Sequence, residues 1–352
     1  MNTKKIIITA IFTGILFSSC SEKEEIILPK GNYDNGILVT NEGAFSGGTG
    51  TINYISDNYI TEVAKIFKNK NNEDLGTIVQ SIGFNDDKAY IIANVANKIS
   101  ISNRYTMERL ATITTGLNNP RYMAFANGKG YVTNWGGGSD STDDFIAVID
   151  LSTNTVTSTI SVNEGPEQIV AKNNKLYISH KGGRNTGNSI TVVDATTNTV
   201  STTITVGAKP DELFFNDAGA LVVSCEGKAV SNINHTEMLA KLVKVNVSNN
   251  TISTTLIFAS GVHPNNMVIE NGKIYFSTSN NVYVMDETSS TLPNSSIITT
   301  PVYGMSVNDG KIYTTDAKDY TSNGTLKIFE ATTKAELKSF TVGIIPGKIY
   351  FN

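Results

Sequence analysis

The sequence predicts an all-β fold made of repeats, and three observations predict it. First, a short turn-and-strand unit recurs. It reads NGKGYVTN (127–134), NNKLYISH (173–180), NGKIYFST (271–278), DGKIYTTD (309–316), DDKAYIIA (86–93) and, more loosely, AGALVVSC (218–225), while NGILVTNEG (35–43) matches its second half. Second, another unit follows each time. FIAVIDLSTNTVTSTISV (145–162) and SITVVDATTNTVSTTITV (189–206) match closely, and the segments at 98–114, 241–258, 281–290 and 325–342 belong to the same set. Third, prolines 120, 166, 210, 264, 301 and 346 recur at intervals of 46, 44, 54, 37 and 45 residues, and Val79 holds the place in the remaining copy. A repeat of about 40–50 residues with several short alternating strands is the signature of a propeller blade. Abundant Thr, Val and Ile, and the lack of any amphipathic helical pattern of useful length, agree.

Each element follows from its residues. Strand A begins at the proline, where a fixed φ helps and no ladder donor is needed. A tight NGK-type turn leads to strand B, whose Tyr90, Tyr131, Tyr177, Tyr275 and Tyr313 are expected to pack between neighbouring sheets. Strand C ends in a short polar residue: Ser56, Asn103, Asp150, Asp194, Asn246, Asp286 or Glu330. Spread one per blade, these read as turn caps rather than calcium ligands. Strand D completes the blade. Counting strand B copies gives seven. The chain opens on strand B of the first blade, and its last segment, IIPGKIYFN, aligns with the strand A segment at Pro166 and Ile169. The two ends are therefore expected to meet in one sheet and close the ring between about residues 36 and 352.

Ahead of the repeats, Lys4 and Lys5 precede the apolar stretch Ile6–Phe17, which is too short to span a membrane comfortably, and then Leu16-Phe17-Ser18-Ser19-Cys20. This resembles a bacterial lipobox, with Leu16 one place earlier than in the common pattern. It implies a signal peptide at 1–19, lipidation of Cys20 and a linker over 20–35. The acidic run Ser21-Glu22-Lys23-Glu24-Glu25 resembles the export tag of lipoproteins displayed on the outer membrane of Bacteroidetes. With Cys20 lipidated, Cys225 is left as a lone thiol in a strand, and no internal disulfide can form.

The stretch GKGYVTNWGGGS (128–139) has the glycines of a phosphate loop. It lacks the helix that would cradle a phosphate, and it contains neither GKS, GKT nor GxGxxG. The formal net charge of −4 gives no reason to expect a nucleic-acid partner.

The loops point to function. A–B and C–D connections are short and share one face. The long irregular segments, 41–50, 134–144, 180–188, 225–240 and 315–323, are B–C loops and rise from the other face, which also holds the D–A connections. Residues after the prolines should ring the mouth of the channel there: Arg121 and Tyr122, Glu167 and Gln168, Asp211 and Glu212, Asn265 and Asn266, Tyr303, and Gly347 with Lys348. Phe45, Trp135, His180 and Arg184 join them from the loops. Trp135, the single tryptophan, fits either a stacking surface for a flat ligand or a ring lying on its own blade. His180, His235 and His263 map to this face, but without HxxxH or His-x-Asp spacing. No metal site and no cofactor are expected.

The repeats, with YVTN itself at Tyr131-Val132-Thr133-Asn134, resemble the YVTN-repeat, YncE-like family of surface propellers. The resemblance implies fold more than function. It also implies likeness in architecture and anchoring to corrinoid-capturing surface propellers. Three functions remain open. One is capture of a small molecule or glycan, possible in partnership with an outer-membrane transporter, by a monomer or a transporter subunit held to the membrane through its lipid alone. The second is a lactonase-like or quinoprotein-like enzyme that would place Glu167, Asp211, Asn265 and His263 around a metal or cofactor. The third is an adhesive or structural surface protein that binds another protein.

Overall fold

A computed structural model describes residues 30–137, 140–232 and 235–352. The leader, Cys20 and the acidic run lie outside them. Among the described residues the strands form seven four-stranded antiparallel sheets. Each sheet runs A-B-C-D in order, as in blade 4: Pro166–Lys172, Lys175–His180, Ser189–Asp194 and Thr199–Thr205. Blade 1 takes its strand A from the C-terminus. Pro346–Phe351 pairs antiparallel with Gly36–Asn41, so that Leu38 faces Tyr350 and Val39 faces Ile349. No helix among the described residues is long and apolar enough to cross a membrane.

The strand B tyrosines cement blade to blade. Tyr90, Tyr131 and Tyr177 are fully buried. The Tyr131 hydroxyl donates to the Ala195 carbonyl and to Asn198 Oδ1 on the next blade. The Tyr90, Tyr177 and Tyr313 rings meet Phe125, Phe215 and Phe351 of the following blades at 5.0–5.6 Å between centroids. At the strand C ends, Asn103, Asp150, Asp194 and Asn246 accept hydrogen bonds from backbone amides two residues on. These are Asx turns, and they do the capping expected of them.

The letters VT of YVTN also have a physical role. In blades 1 to 5 strand A carries a β-bulge near its start, whereas the strand A ladders of blades 6 and 7 run without one. In blade 3 the ladder passes from Pro120↔Asn134 to Met123↔Val132, so Arg121 and Tyr122 together oppose Thr133. The Thr133 hydroxyl accepts the Tyr122 amide and donates to the Glu167 carbonyl of the next blade. Ser179, Thr315 and Thr40 accept the amides of Gln168, Gly304 and Lys348 in the same way. A bulge leaves residues out of the ladder and re-aims their side chains. Val132 packs in the core.

Three details depart from expectation. Blade 6 begins its strand A at Asn266 and blade 7 at Met305, so Pro264 and Pro301 sit in the connections rather than at the strand starts. A six-residue helix, Ile66–Asn71, follows the two-residue strand D of blade 1, Glu62–Val63. It buries Ile66 and Phe67 against Leu38, Ile52 and Val79, filling the sheet edge that a longer strand would have covered. One long segment, 287–297, is a C–D connection of blade 6 and lies on the short-turn face.

Candidate functional site

The bulges and B–C loops surround an open funnel of about 540 Å³ at one end of the central channel. Of the residues singled out from sequence, Phe45, Arg121, Tyr122, Trp135, Glu167 and Arg184 line it. So do Asp211, Glu212, Asn265, Asn266 and Tyr303.

Two do not. His180 is the last residue of its strand rather than a rim residue. It is 1% exposed, with Nε2 2.8 Å from Thr191 Oγ1 and Nδ1 3.3 Å from the Glu164 carbonyl. Burial lowers its pKa to about 4, so it is a neutral, hydrogen-bonded core histidine. Gln168 points deeper, lining a second cavity of about 260 Å³ inside the channel, and donates to Glu212 Oε2 at 3.2 Å. Tyr122, Glu212 and Lys348 line both cavities and form the partition between them.

The funnel wall is a lattice of ion pairs. Arg121 grips Glu167 with two parallel bonds, Nε–Oε2 at 2.9 Å and Nη2–Oε1 at 2.7 Å, and donates a third to Gln80 Oε1. Its guanidinium lies 4.1 Å from the Trp135 ring, whose Nε1 donates to the Pro166 carbonyl of the next blade. The tryptophan is thus pinned to the neighbouring blade while still lining the funnel. Lys181 Nζ is shared between Asp211 at 2.6 Å and Glu226 at 2.8 Å. Lys348, on the closing strand of blade 1, reaches Glu212 of blade 5 at 2.6 Å and so bars the channel.

Burial pushes both ion-pair acids and bases toward neutrality, and their partners oppose it. Burial raises Glu226 to about 7, with help from the adjacent Asp211 and against the pull of Lys181. For Asp211 burial acts upward as well, but Lys181 and Lys348 outweigh it and hold the carboxyl below its ordinary value. Against the effect of burial, Asp211 and Glu226 lift Lys181 above its ordinary value, and Glu212, with Tyr122 and Asp211, lifts Lys348. Buried pairs of this kind add little net stability but fix geometry, and losing one partner is costly.

The acids and histidine that a metal-dependent enzyme would draw on are engaged with other partners. Glu167 and Asp211 are held by Arg121 and Lys181. His263 is occupied by the Glu226 carbonyl at 2.7 Å and Glu237 Oε1 at 3.1 Å, and His235 sits in an exposed loop. Among the described residues no three His, Cys, Asp or Glu side chains group closely enough to hold a metal ion. Cys225 is a free, buried thiol whose pKa burial pushes up to about 12, which makes it inert.

Sequence reasoning missed Glu42, Gln80 and Lys181 as funnel residues. The bulge register, one residue ahead of Ser81 in blade 2, would have found Gln80. The other two lie at the first position of a B–C loop, where Trp135 was found.

Fold and site together define a class: a seven-bladed propeller with a charge-lined funnel on its loop face. The chain belongs to the family described as Domain of unknown function (DUF5074), whose model matches residues 35–250. No curated protein matches it by sequence. Among solved structures it is similar to a quinonprotein alcohol dehydrogenase-like protein from Bacteroides thetaiotaomicron, with 14% identity over 92% of this chain and 79% of that one, at a TM-score of 0.67. It is also similar to the periplasmic gluconolactonase of Pseudomonas aeruginosa (10% identity, 90% and 98% covered, TM-score 0.65). A third is the hydrazine synthase of Kuenenia stuttgartiensis (14%, 78% and 91%, 0.60). At these identities the likeness shows the fold alone.

Proposed function

We propose that this chain is a YncE-like surface lipoprotein, anchored in the outer membrane through Cys20, that captures a small-molecule or glycan ligand in the loop-face funnel and passes it to an outer-membrane transporter. The observation that carries the reading is the funnel itself: a cavity of about 540 Å³ built by bulge residues of several blades, with aromatic rings and pre-formed ion pairs around an open mouth. Concave sites with a few fixed polar groups are the usual form of a ligand site. Because the mouth is open, the funnel grips one face of a ligand rather than enclosing it. A corrinoid, with its rim of polar groups, is the specific candidate, on the resemblance of the repeats and leader to those surface propellers.

The test is a screen of cobalamins, haem, sugars and calcium against the full chain in detergent, read by thermal shift and by emission of the single tryptophan, Trp135. A ligand at a hundred times its dissociation constant adds about 2.7 kcal/mol of stability. A hit that changes Trp135 emission supports the reading; hits that leave it unmoved, and whose affinity Trp135→Ala does not alter, overturn it. Radiolabelled palmitate incorporated by the wild type but not by Cys20→Ser tests the anchor separately.

A further inference from the structure

Among the described residues, every carboxylate of the funnel wall but one is matched to a cation. Glu167 has Arg121, Asp211 has Lys181, and Glu212 has Lys348. Glu42 is the exception. It lines the funnel, yet among the described residues no lysine, arginine or histidine nitrogen lies within 4.0 Å of it. Its side chain makes one hydrogen bond, Oε1 accepting the Tyr303 hydroxyl at 2.9 Å. It is not a floppy surface acid. Its amide donates to the Ile345 carbonyl at 2.8 Å and that of Gly43 to the Ile344 carbonyl at 3.1 Å, so the closing segment of the ring fixes the loop that carries it. A half-buried carboxylate in a low-dielectric wall is costly without a counter-charge. Consistently, burial raises its pKa, with the Tyr303 bond and the more distant Arg121 and Lys348 acting the other way.

The surroundings indicate what would supply that charge. Tyr303 meets the carboxylate through its hydroxyl, and its ring packs edge-on against Tyr320, with 5.9 Å between centroids. Phe45, three residues along the same loop, lines the funnel with 82% of its surface exposed. A carboxylate that shares its funnel with aromatic rings suits an organic cation, which gains from both charge and cation–π contact. A calcium or magnesium ion would need six or more oxygens.

We infer that Glu42 is the seat for a positively charged group of the ligand, with Tyr303 and Phe45 supplying the rings, so that the ligand class is an organic ammonium. This rests on the funnel reading and narrows it. The probes are benzylammonium and its neutral counterpart benzyl alcohol, with calcium as a third arm, titrated at pH 8 into the full chain by calorimetry while Trp135 emission reports occupancy. Expected is a preference of about tenfold for the ammonium, abolished in Glu42→Gln, with benzyl alcohol affinity unchanged. Glu42→Gln should melt no lower than wild type, because it removes an uncompensated charge. Equal affinity for the two probes, unchanged ammonium binding by Glu42→Gln, no ammonium binding at all, or calcium binding lost with Glu42 would each overturn the inference. If both probes perturb Trp135 without charge preference, the funnel reading survives and this one fails. If no probe and no screened ligand perturbs Trp135, the funnel reading fails with it.

Discussion

Single residues hold the funnel in shape, and their chemistry gives the sharpest predictions. Arg121 and Glu167 are only 15% and 4% exposed at the side chain. Arg121→Ala therefore strands a buried carboxylate and should cost about 3–5 kcal/mol in chemical denaturation, with much of the loss recovered by adding Glu167→Gln. His180 gives a pH signature. Its pKa is about 4 in the folded chain, against 6.5 for the free side chain, because burial disfavours the charged ring. The unfolded chain thus binds the proton first. The contribution of the neutral ring is fully present above pH 6.5 and falls away as pH drops toward about 4, by roughly 3 kcal/mol in all. Glu226, raised to about 7, acts in the opposite sense over an overlapping range: its burial cost is absent while it stays protonated and grows as pH rises toward 7. The measurement is therefore a difference. Denaturation free energy of His180→Gln minus wild type, followed from pH 7 to 4, should shift in the variant's favour as pH falls; a flat difference would refute the buried neutral ring.

At the level of elements, the bulge near the strand A start of blades 1 to 5 links the repeat to the funnel. Thr133→Val keeps the shape but leaves the buried Tyr122 amide and its neighbour carbonyl without partners. It should cost about 1–3 kcal/mol and loosen Arg121 and Tyr122, whereas Thr157→Val on an outer strand should cost far less. Phe67→Ala should cost about 3–5 kcal/mol although it sits in a six-residue helix, because that ring is 1% exposed and plugs the end of blade 1. These elements were unequally legible. Strand order, blade count and the caps at Asp150 and Asp194 could be read because each is a local rule copied many times. The helix Ile66–Asn71 could not, since it occurs once and is shaped by the gap it fills rather than by periodicity. His180 was misplaced because the last residue of a strand and the first of a loop look alike in one dimension, and only pairing with Ser189 separates them. Pro264 and Pro301 misled because proline marks the approach to a strand as well as its start. Glu42 and the Lys348–Glu212 bar depend on which blades meet across the ring, which no repeat encodes.

For the whole molecule, ring closure and the funnel wall share one strand. Pro346–Phe351 completes blade 1, and the same strand carries Lys348 across the channel to blade 5. Removing residues 346–352 should expose the edge of Gly36–Asn41, broaden the unfolding transition and promote association, seen by scanning calorimetry and light scattering. If the loop-face funnel is the binding site, its exposed lining residues govern affinity. Phe45 and Arg184 test it cleanly, because both line the funnel, both are exposed, and among the described residues Arg184 has no ion-pair partner. Truncating either should leave stability within about 0.5 kcal/mol. The deciding measurement is the dissociation constant of the tightest ligand found, by calorimetry, for wild type and for the Phe45→Ala, Arg184→Ala double variant. A loss of about tenfold or more with an unchanged melting temperature is the predicted result; an unchanged constant would place recognition elsewhere on the propeller.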